Sequence, residues 1–351
     1  MALVFLDGFD HYATAQLQAK WPSGGTTIAT NIYSIRQAGG REAGGGALAV
    51  SGGGGWSAPY VTLPANGTYT FGMAVNWSTL GGNALGLFCS SNTNQLLVGI
   101  NGSGYVYAAV KAGTYTATTP VLAANTWYYI EGQIVVSATA GSVTVRVNGT
   151  TVISETGINT DAAGSGVCNQ FTVSATQIPN GAANVGVNGL YDDLYIFDGA
   201  GSANTTFPSA IPTVQCLWPN APGTNAQWTG LPYASGNNFA NVNDETPDGD
   251  FTVNQSGTAA QIDTFKHDEL RPPTGTVFAL QHCITARTAT STAHSVAAAE
   301  YTGGTAYVDT GQALSTGYSC LTFPHDTDPA TGAAYTVADV NADEYGYELI
   351  S

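Results

Sequence analysis

The sequence predicts an all-β protein: an antiparallel jelly-roll sandwich followed by a smaller, mostly β domain with one short helix. Strand-forming segments recur along the chain with turn residues about every 8–12 positions, a spacing typical of sandwiches and barrels. Charged residues make up only 9% of the 351 residues, against about 25% in an average soluble protein. The 44 glycines suit tight turns, whereas long helices usually carry Lys and Glu on their outer faces.

The clearest of these segments covers residues 126–153. Val143, Val145 and Val147 alternate with polar residues, and this period of two marks a strand with one buried and one solvated face. Asn148-Gly149 follows and supplies the two positive-φ residues that a tight type I′ hairpin needs. The segment therefore predicts a strand, a turn, the alternating strand, the Asn-Gly turn and another short strand.

The other elements of the first domain are assigned from the same kinds of signal. Residues 14–21 predict a short helix that Asp10 caps, and Asn101-Gly102 predicts a second hairpin turn. Further strands are predicted at residues 2–6, 47–50, 60–63, 69–77, 84–90, 95–100, 105–110, 170–175 and 191–197. Together with the hairpin, they are expected to form the sandwich.

A change in composition marks the domain boundary. Residues 199–212 are rich in small residues and end in proline, so the sandwich is assigned to residues 1–205 and a smaller β-rich domain to residues 206–351. In the second domain, Thr336 and Asp339 form a capping-box-like start to one short helix. Strands are predicted there at residues 214–217, 251–253, 277–286, 295–301, 306–309, 318–323 and 345–350. This domain is expected to provide assembly contacts.

The charge of the chain excludes several classes of partner. Eight basic residues face 24 acidic ones, for a formal charge of −16. A strongly acidic surface repels phosphate groups, so we expect neither nucleic acid nor a negatively charged membrane surface as a partner. No apolar run of about 18 residues predicts a membrane span. The apolar residues 2–6 are cut short by Asp7 and follow no basic residues, so they predict a first strand rather than a signal peptide.

The cysteines are widely spaced, and no two of them form a CxxC pair. This spacing disfavours both a zinc site and a dense disulfide scaffold, and it predicts small buried apolar side chains, with one disulfide as the alternative. The five residues are Cys89, Cys168, Cys216, Cys283 and Cys320.

The order of three motifs resembles a known class of jelly rolls. WYYIE at residues 127–131, GSVTVRVNG at 141–149 and YDDLYIFD at 191–198 are similar to the laminin-G and pentraxin-like branch of the concanavalin-type sandwiches. This resemblance implies a concanavalin-like jelly roll for the first domain.

Nearly the full chain also resembles a group of phage and prophage structural proteins. The matching segments are FLDGFDHYATA (5–15), DDLYIFDGAGSANTTF (192–207), LWPNAPGTNAQWT (217–229), VNDETPDGDFTV (242–253) and DPATGAAYTVADVNADEYGYEL (328–349). The resemblance implies a virion component that is assembled in the cytoplasm of the bacterial host. Its expected partners are other virion proteins and copies of itself. A tail or appendage position is the first expectation, and capsid decoration on the head surface is the alternative. No catalytic residue is implied.

Two groups of aspartates are weak candidates for cation binding. Asp192 and Asp193 are adjacent on a strand and are therefore expected to point to opposite faces, which supplies too few of the six to eight oxygens that calcium needs. Asp244, Asp248 and Asp250 form an acidic cluster, but it lacks the glycine and distal glutamate of an EF-hand loop. The favoured alternatives are a turn at the sandwich rim and an acidic surface loop. No cofactor is predicted, with Ca²⁺ kept as an alternative.

The sequence offers no pattern typical of a hydrolase. Jelly-roll glucanases place carboxylates on alternate residues of one strand, about 5–5.5 Å apart, and no such run occurs here. No G-x-S-x-G elbow is found, and the five histidines are scattered. His325, Asp326 and Asp328 form another weak cluster, interpreted as surface polar residues. We therefore expect a protein that is not an enzyme, with a glycan hydrolase as the least favoured hypothesis.

Several aromatic residues are candidates for contacts with a glycan or with another subunit. Tyr105 and Tyr107 lie on the same face of one strand, opposite Val106, so neither face of that strand is purely polar. The alternative is that these side chains belong to the core, where large aromatics are also common. The full candidate set is Trp56, Tyr60, Trp77, Tyr105 and Tyr107. The function expected from the sequence is a structural virion subunit, and the alternative from another class is a carbohydrate-binding module for host glycans.

Overall fold

The computed structural model describes residues 3–21, 28–51, 58–88, 93–173, 188–201, 203–233 and 236–351. It confirms the all-β prediction, since the described chain consists mainly of antiparallel strands with two short α-helices. Contacts divide it into two compact units, Met1–Val214 and Gln215–Ser351, and the boundary predicted between residues 205 and 206 lies within the first unit. Residues 2, 89–90 and 174–175 of the predicted strands lie outside the described residues.

Fourteen strands are formed by the residues of the first unit that the structure describes. They are β1 (Leu3–Asp7), β2 (Tyr33–Arg36), β3 (Ala47–Val50), β4 (Tyr60–Asn66), β5 (Thr68–Trp77), β6 (Gly82–Phe88), β7 (Asn94–Ile100), β8 (Val106–Val110), β9 (Gly113–Thr116), β10 (Trp127–Val135), β11 (Gly141–Val147), β12 (Thr150–Ile158), β13 (Cys168–Val173) and β14 (Gly189–Phe197). The large sheet has the order β12-β11-β10-β5-β14-β3-β2, with β1 also paired to β14. The small sheet has the order β4-β13-β6-β7-β8-β9.

The two sheets enclose one core, which makes the first unit a sandwich. Phe71 on β5 and Phe171 on β13 meet across it, with ring centroids 5.3 Å apart. Gly132 on β10 lies beside Phe71 in register, and a Cβ at this position would come within 2.5 Å of the Phe71 ring. The glycine therefore makes room for the ring at the centre of the core. Alternation along β11 places Val143 and Val145 in the same core, as predicted.

The predicted hairpin turns are present. Asn148 and Gly149 join β11 to β12 with φ values of 48° and 77°, as a type I′ turn requires. Asn101 begins the turn between β7 and β8, where its side chain accepts hydrogen bonds from the backbone N–H groups of Ser103 and Tyr105, both at 3.0 Å. These turns fold as predicted because their signals are local.

The predicted N-terminal helix forms as a 3-10 turn (Thr14–Gln16) that continues into α1 (Leu17–Lys20). Asp10 does not cap it, because Asp10 Oδ1 accepts a hydrogen bond from the backbone N–H of Gly46 at 2.6 Å. The helix places the Lys20 side chain in the interior of the unit, where Lys20 Nζ lies 3.1 Å from Asp7 Oδ1.

Asp7 is the centre of a buried polar group at the end of β1. Its carboxylate accepts hydrogen bonds from the Tyr12 hydroxyl at 2.7 Å, the Trp21 indole N–H at 2.8 Å and the Phe9 backbone N–H at 2.8 Å. Four donors, counting Lys20, thus converge on one carboxylate that is only 1% exposed. Such a charge is stable inside a protein only when it is fully paired.

The described residues of the second unit form ten strands and the helix α2 (Val337–Ala342). The strands are β15 (Pro219–Ala226), β16 (Thr229–Leu231), β17 (Val253–Gln255), β18 (Ile262–His267), β19 (Leu280–Ala286), β20 (Ser295–Thr302), β21 (Thr305–Val308), β22 (Gln312–Ala313), β23 (Ser319–His325) and β24 (Glu344–Leu349). The main sheet has the order β15-β18-β24-β20-β21, with β22 on β20, and β16–β17 and β19–β23 form separate two-stranded sheets. No described helix is long and apolar enough to cross a membrane.

In the second unit, the predicted helix start is confirmed and one predicted strand is absent from the described residues. The capping box of α2 is confirmed, since Asp339 N–H donates to Thr336 Oγ1 at 3.2 Å and Thr336 N–H donates to Asp339 Oδ2 at 2.9 Å. Residues 214–217, all described, do not form the predicted strand. Strands β15 and β18 were not predicted, because the proline- and asparagine-rich β15 resembles a loop until it pairs with β18.

The second unit has a small apolar core. Among its described residues, the buried cluster consists of Phe265, Val296 and Tyr347, with partly buried apolar side chains packed around it. The prediction that the cysteines are buried is correct for Cys168 in the first unit but wrong for Cys283, which is exposed. Cys89 lies outside the described residues.

Candidate functional site

The outer face of the large sheet, turned away from the small sheet, carries a connected group of polar and aromatic side chains. Ile130 and Ile134 of β10 point into the core, so the alternating Tyr129 and Glu131 point outward. The Tyr195 hydroxyl donates a hydrogen bond to Glu131 Oε1 at 2.9 Å, and the Tyr195 ring stacks on Tyr129 at 6.5 Å. Burial raises the pKa of Glu131, against the effects of the Tyr195 hydrogen bond and of Arg146.

A glycine on β5 makes this arrangement sterically feasible. A Cβ at Gly72 would lie 2.3 Å from the Tyr195 ring and 2.8 Å from the Tyr129 ring. Without a side chain there, both rings can lie flat over β5, between their own strands β10 and β14. The close packing of the two tyrosines on the outer face therefore requires a glycine at position 72.

Residues 207–214, which we name the covering segment, close this face against solvent. Arg146 Nη1 lies 3.5 Å from Glu131 Oε2, and the same guanidinium lies 4.9 Å from the Phe207 ring. Arg146 Nη1 also reaches the Pro208 carbonyl at 3.5 Å, and Arg41 Nη2 donates to the Pro212 carbonyl at 2.6 Å. The polar side of β11 is partly exposed, as predicted, and at Arg146, whose side chain is 18% exposed, the covering segment shields part of it.

The two adjacent aspartates of β14 reach the same arginine. The register of β14 shifts between Asp192 and Tyr195, and Asp193 has a positive φ of 51°. As a result, Asp192 Oδ2 accepts the Arg41 backbone N–H at 2.8 Å, while Asp193 Oδ2 lies 2.7 Å from Arg41 Nε. The prediction that they point to opposite faces is wrong, because a bulge interrupts the alternation.

This aspartate pair is occupied by protein donors. Asp192 Oδ1 accepts the backbone N–H of Asp193 at 2.7 Å, and Asp193 Oδ1 accepts that of Val214 at 2.7 Å. Burial, followed by the charge of Asp193, raises the pKa of Asp192 to about 8. Burial also raises the pKa of Asp193, against the effect of Arg41. The pair anchors Arg41 and the end of the covering segment, which leaves few oxygen atoms for a cation.

The acidic cluster of the second unit is held by hydrogen bonds and an ion pair. Asp244 Oδ2 and Asp248 Oδ2 both lie near the Thr252 hydroxyl, at 2.8 Å and 3.1 Å. Asp250 pairs with Arg287 at 2.8 Å and accepts a hydrogen bond from the Tyr318 hydroxyl at 2.6 Å. These contacts lower the pKa of Asp250, first through the Arg287 hydrogen bond. The arrangement matches an acidic surface loop.

The aromatic candidates are separated by the structure. Trp77 is buried in the core of the sandwich, and Tyr107 is buried with Leu97 on the opposite side of the small sheet. Both are corrected as contact candidates, because their side chains are inaccessible to a glycan or another subunit. Tyr60 and Tyr105 are half-buried, and Trp56 lies outside the described residues.

A polar cluster in the second unit was not predicted from the sequence. Glu300 Oε2 on β20 lies 4.0 Å from His282 Nε2 on β19 and 3.8 Å from His325 Nδ1 on β23. Burial raises the pKa of Glu300 to about 7 and lowers that of His282 to about 3, helped by His325. His325 was grouped with Asp326 and Asp328, but its partners come from other strands. No spacing in the sequence signals this, since three separate strands contribute one residue each.

Comparison with protein-family models finds no match, and neither does comparison with curated proteins. Among solved structures, the chain is similar to an endo-β-1,4-glucuronan lyase from the fungus Trichoderma reesei, at 14% identity and a TM-score of 0.34, over 47% of this chain and 86% of that one. It is also similar to the alginate lyase Aly36B in complex with an alginate trisaccharide, at 14% identity and a TM-score of 0.38, over 55% and 96%. A third is a heptameric SAP-like pentraxin from Limulus polyphemus, at 15% identity and a TM-score of 0.30, over 38% and 65%.

The two sheets and the core that they enclose define the first unit as an antiparallel jelly-roll sandwich. The expectation that the chain is not an enzyme is corrected by the comparison with solved structures. Two of these structures are polysaccharide lyases, so the fold gives no ground for excluding catalysis. At these identities the likeness concerns the fold alone and transfers no activity to this chain.

The covering segment offers a direct test of the outer-face arrangement. We expect Arg146→Ala to release it, because the variant removes the contacts to Phe207, Pro208 and the buried Glu131. Amide hydrogens of the covering segment, such as the Val214 N–H that donates to Asp193, should then exchange with deuterium several-fold faster than in the parent protein. The free energy of unfolding should fall by about 1–3 kcal/mol. Arg36→Ala, at an exposed arginine of β2, is the control. Equal exchange rates in the two variants would contradict the closing role of Arg146.

Proposed function

We propose that this protein is a structural subunit of a bacteriophage virion, in the tail or an appendage, that acts by packing against copies of itself and other virion proteins. The ordered resemblance of five segments to phage structural proteins supports this proposal. The low content of charged residues, 9%, supports it as well, because the centres of protein interfaces are depleted in charge. Capsid decoration on the head surface is the alternative position.

The observation that carries the proposal is the imbalance of apolar surface in the second unit. Among its described residues ten apolar side chains are buried, yet six of the eight large hydrophobic side chains that the described residues expose belong to this unit. Phe251 is 83% exposed, Tyr233 50% and Leu231 47%. A small unit that leaves such surface uncovered gains stability when neighbouring subunits bury it. The six residues are Leu231, Tyr233, Phe251, Val308, Tyr318 and Ile350.

The first unit suits the role of a rigid body in such an assembly. Its sandwich has a continuous apolar core, and its own covering segment closes the outer face of the large sheet. Assembly contacts are therefore proposed for the second unit, and the sandwich is proposed to give the subunit its shape.

The carbohydrate-binding alternative has less support from the geometry. Of the described aromatic candidates, only Tyr60 and Tyr105 are partly accessible. Tyr60 lies on β4 and Tyr105 immediately precedes β8, and three strands separate β4 from β8 in the small sheet. Two aromatic side chains so far apart do not form one stacking platform for a sugar.

The proposal is tested on the purified chain and on the parent particle. We expect the chain to form oligomers in light-scattering measurements, and we expect Phe251→Asp to dissociate them. Val121→Asp, at a 58% exposed residue of the first unit, should leave them intact. Antibodies against the chain should label the tail or an appendage in electron micrographs. Labelling of the head would favour capsid decoration, and a monomer that is absent from the particle would overturn the proposal.

A further inference from the structure

We propose that His282, Glu300 and His325 bind a divalent transition-metal ion, with Zn²⁺ as the best match. Three strands bring these side chains together: β19 and β23 of a separate two-stranded sheet and β20 of the main sheet. The inference concerns the second unit alone and does not depend on the virion role.

The ligand atoms are close to the spacing that zinc requires. One ligand atom from each of the three side chains lies within 4.8 Å of the other two, with the Glu300 oxygen 4.0 Å and 3.8 Å from the two histidine nitrogens. Zinc binds nitrogen and oxygen at about 2.0–2.1 Å, which places tetrahedral ligands about 3.3–3.5 Å apart. The Glu300 oxygen reaches this spacing with a shift of about half an ångström toward each histidine. The two histidine nitrogens, which lie within 4.8 Å of each other, would approach by up to about 1.5 Å as the two stacked rings turn toward the ion. A water molecule completes the fourth position.

Buried polar atoms without partners point to a missing ligand. The His282 side chain is only 9% exposed, yet neither ring nitrogen has a hydrogen-bond partner among the described residues. Glu300, whose side chain is 1% exposed, has one carboxylate oxygen in the same condition. A buried polar atom without a partner costs about 1–3 kcal/mol. A metal ion between His282 and Glu300 would satisfy an imidazole nitrogen and compensate the buried carboxylate.

Two further residues hold the proposed ligands in place. Asp309 Oδ2 lies 2.8 Å from His325 Nε2, which favours the tautomer with Nε2–H and leaves the Nδ1 lone pair facing Glu300. The Tyr335 hydroxyl donates a hydrogen bond to Glu300 Oε2 at 2.8 Å. Histidine ligands in metal sites are commonly oriented by such a carboxylate, and ligand carboxylates are hydrogen-bonded in turn.

The donor set selects the class of metal. Two imidazoles and one carboxylate suit zinc and neighbouring transition metals, whereas calcium takes six to eight oxygens and magnesium keeps several water molecules. The position of the ligands, on two separate sheets, supports a structural role for the ion. A two-stranded sheet is marginally stable alone, and the β19–β23 sheet provides two of the three ligands. The ion would fix this sheet to β20 of the main sheet.

The test uses the full chain, stripped with a chelator and titrated with Zn²⁺ against a fluorescent zinc indicator. We expect one zinc ion per chain by native mass spectrometry and a rise in the unfolding temperature of the second unit. His282→Ala should lower the affinity at least 100-fold and abolish the rise. His294→Ala is the matched control, because His294 hydrogen-bonds the Ser351 carbonyl at 2.8 Å and lies outside the cluster. Substitution with Co²⁺ should give the absorption spectrum of a tetrahedral nitrogen and oxygen site.

A second variant covers the case in which His282→Ala does not fold. Glu300→Gln keeps the side-chain size and the acceptor for Tyr335 but removes the charge, so it should also lose zinc while retaining the β-sheet circular dichroism of the parent. Absence of zinc from the parent protein, or equal zinc affinity in Glu300→Gln and His294→Ala, would overturn the proposal. The three side chains would then be a hydrogen-bonded cluster without an ion.

Discussion

Replacing Asp7 by asparagine should lower the free energy of unfolding of the first unit by about 3–5 kcal/mol, because the buried Lys20 ammonium loses its counter-ion. Lys20 is only 4% exposed, and its Nζ lies 3.1 Å from the Asp7 carboxylate. The asparagine keeps the size of the side chain, so the loss reports mainly the charge and the altered hydrogen bonds to Tyr12 and Trp21. Urea unfolding followed by tryptophan fluorescence measures the effect.

The reciprocal variant serves as the control for Asp7. In Lys20→Met the carboxylate keeps its hydrogen bonds from Tyr12, Trp21 and the Phe9 backbone, so the loss should be about half as large. The double variant should be more stable than the sum of the two losses predicts, since the lysine charge is no longer buried without the carboxylate. Strict additivity of the two losses would show that the Asp7–Lys20 pair is not coupled.

The second large effect is a dependence of stability on pH at the Arg41 site. The pKa of Asp192 is raised from its ordinary value of 3.8 to about 8, so the folded chain holds this proton more tightly than the unfolded chain does. Its contribution to stability is therefore complete below the ordinary pKa and declines as the pH rises through about 8. At about 1.4 kcal/mol per pKa unit, a shift from 3.8 to about 8 corresponds to a decline of up to about 6 kcal/mol for Asp192 alone.

Arg41→Ala should make this decline steeper. The variant removes the guanidinium next to Asp193, so at pH 8 the ionised carboxylates lose their cation and about 3–5 kcal/mol of stability is lost. Near pH 4.5 the loss should be much smaller, because Asp192 is protonated there. Unfolding curves of the parent, Arg41→Ala and Asp192→Asn between these pH values measure the difference, and Asp192→Asn should have the flattest pH dependence. A loss in Arg41→Ala that is equal at both pH values would contradict this electrostatic account.

Local patterns in the sequence were sufficient for much of the fold. The alternation of Val143, Val145 and Val147 and the Asn148-Gly149 turn act over a few residues, and the structure contains them as predicted. The capping box at Thr336 is equally local. Strand β15 was not predicted, because its prolines and asparagines resemble a loop and its pairing with β18 is a tertiary interaction.

The site residues were harder to predict because their environment is set by distant parts of the chain. Alternation places Trp77 and Tyr107 on faces of a strand but does not say which faces other segments cover. The bulge beside Asp193 requires a positive φ at that residue. The presence of an aspartate in a sequence is not enough to predict a positive φ. His282, Glu300 and His325 lie on three strands, and only the pairing of those strands brings them together.

The attachment of the covering segment has a mechanical consequence. A pulling force applied to the chain at Gln215 first loads the hydrogen bond between the Val214 N–H and Asp193. It then loads the contact of Arg41 with Pro212 and, after that, the contact of Arg146 with Pro208. Contacts loaded in sequence break at lower force than the strands of a sheet that are sheared together. Tension would thus peel residues 198–214 away first and release up to roughly 55–60 Å of extended chain, while the two sheets stay intact. Residues 198–214 would therefore lengthen under tension before either sheet unfolds.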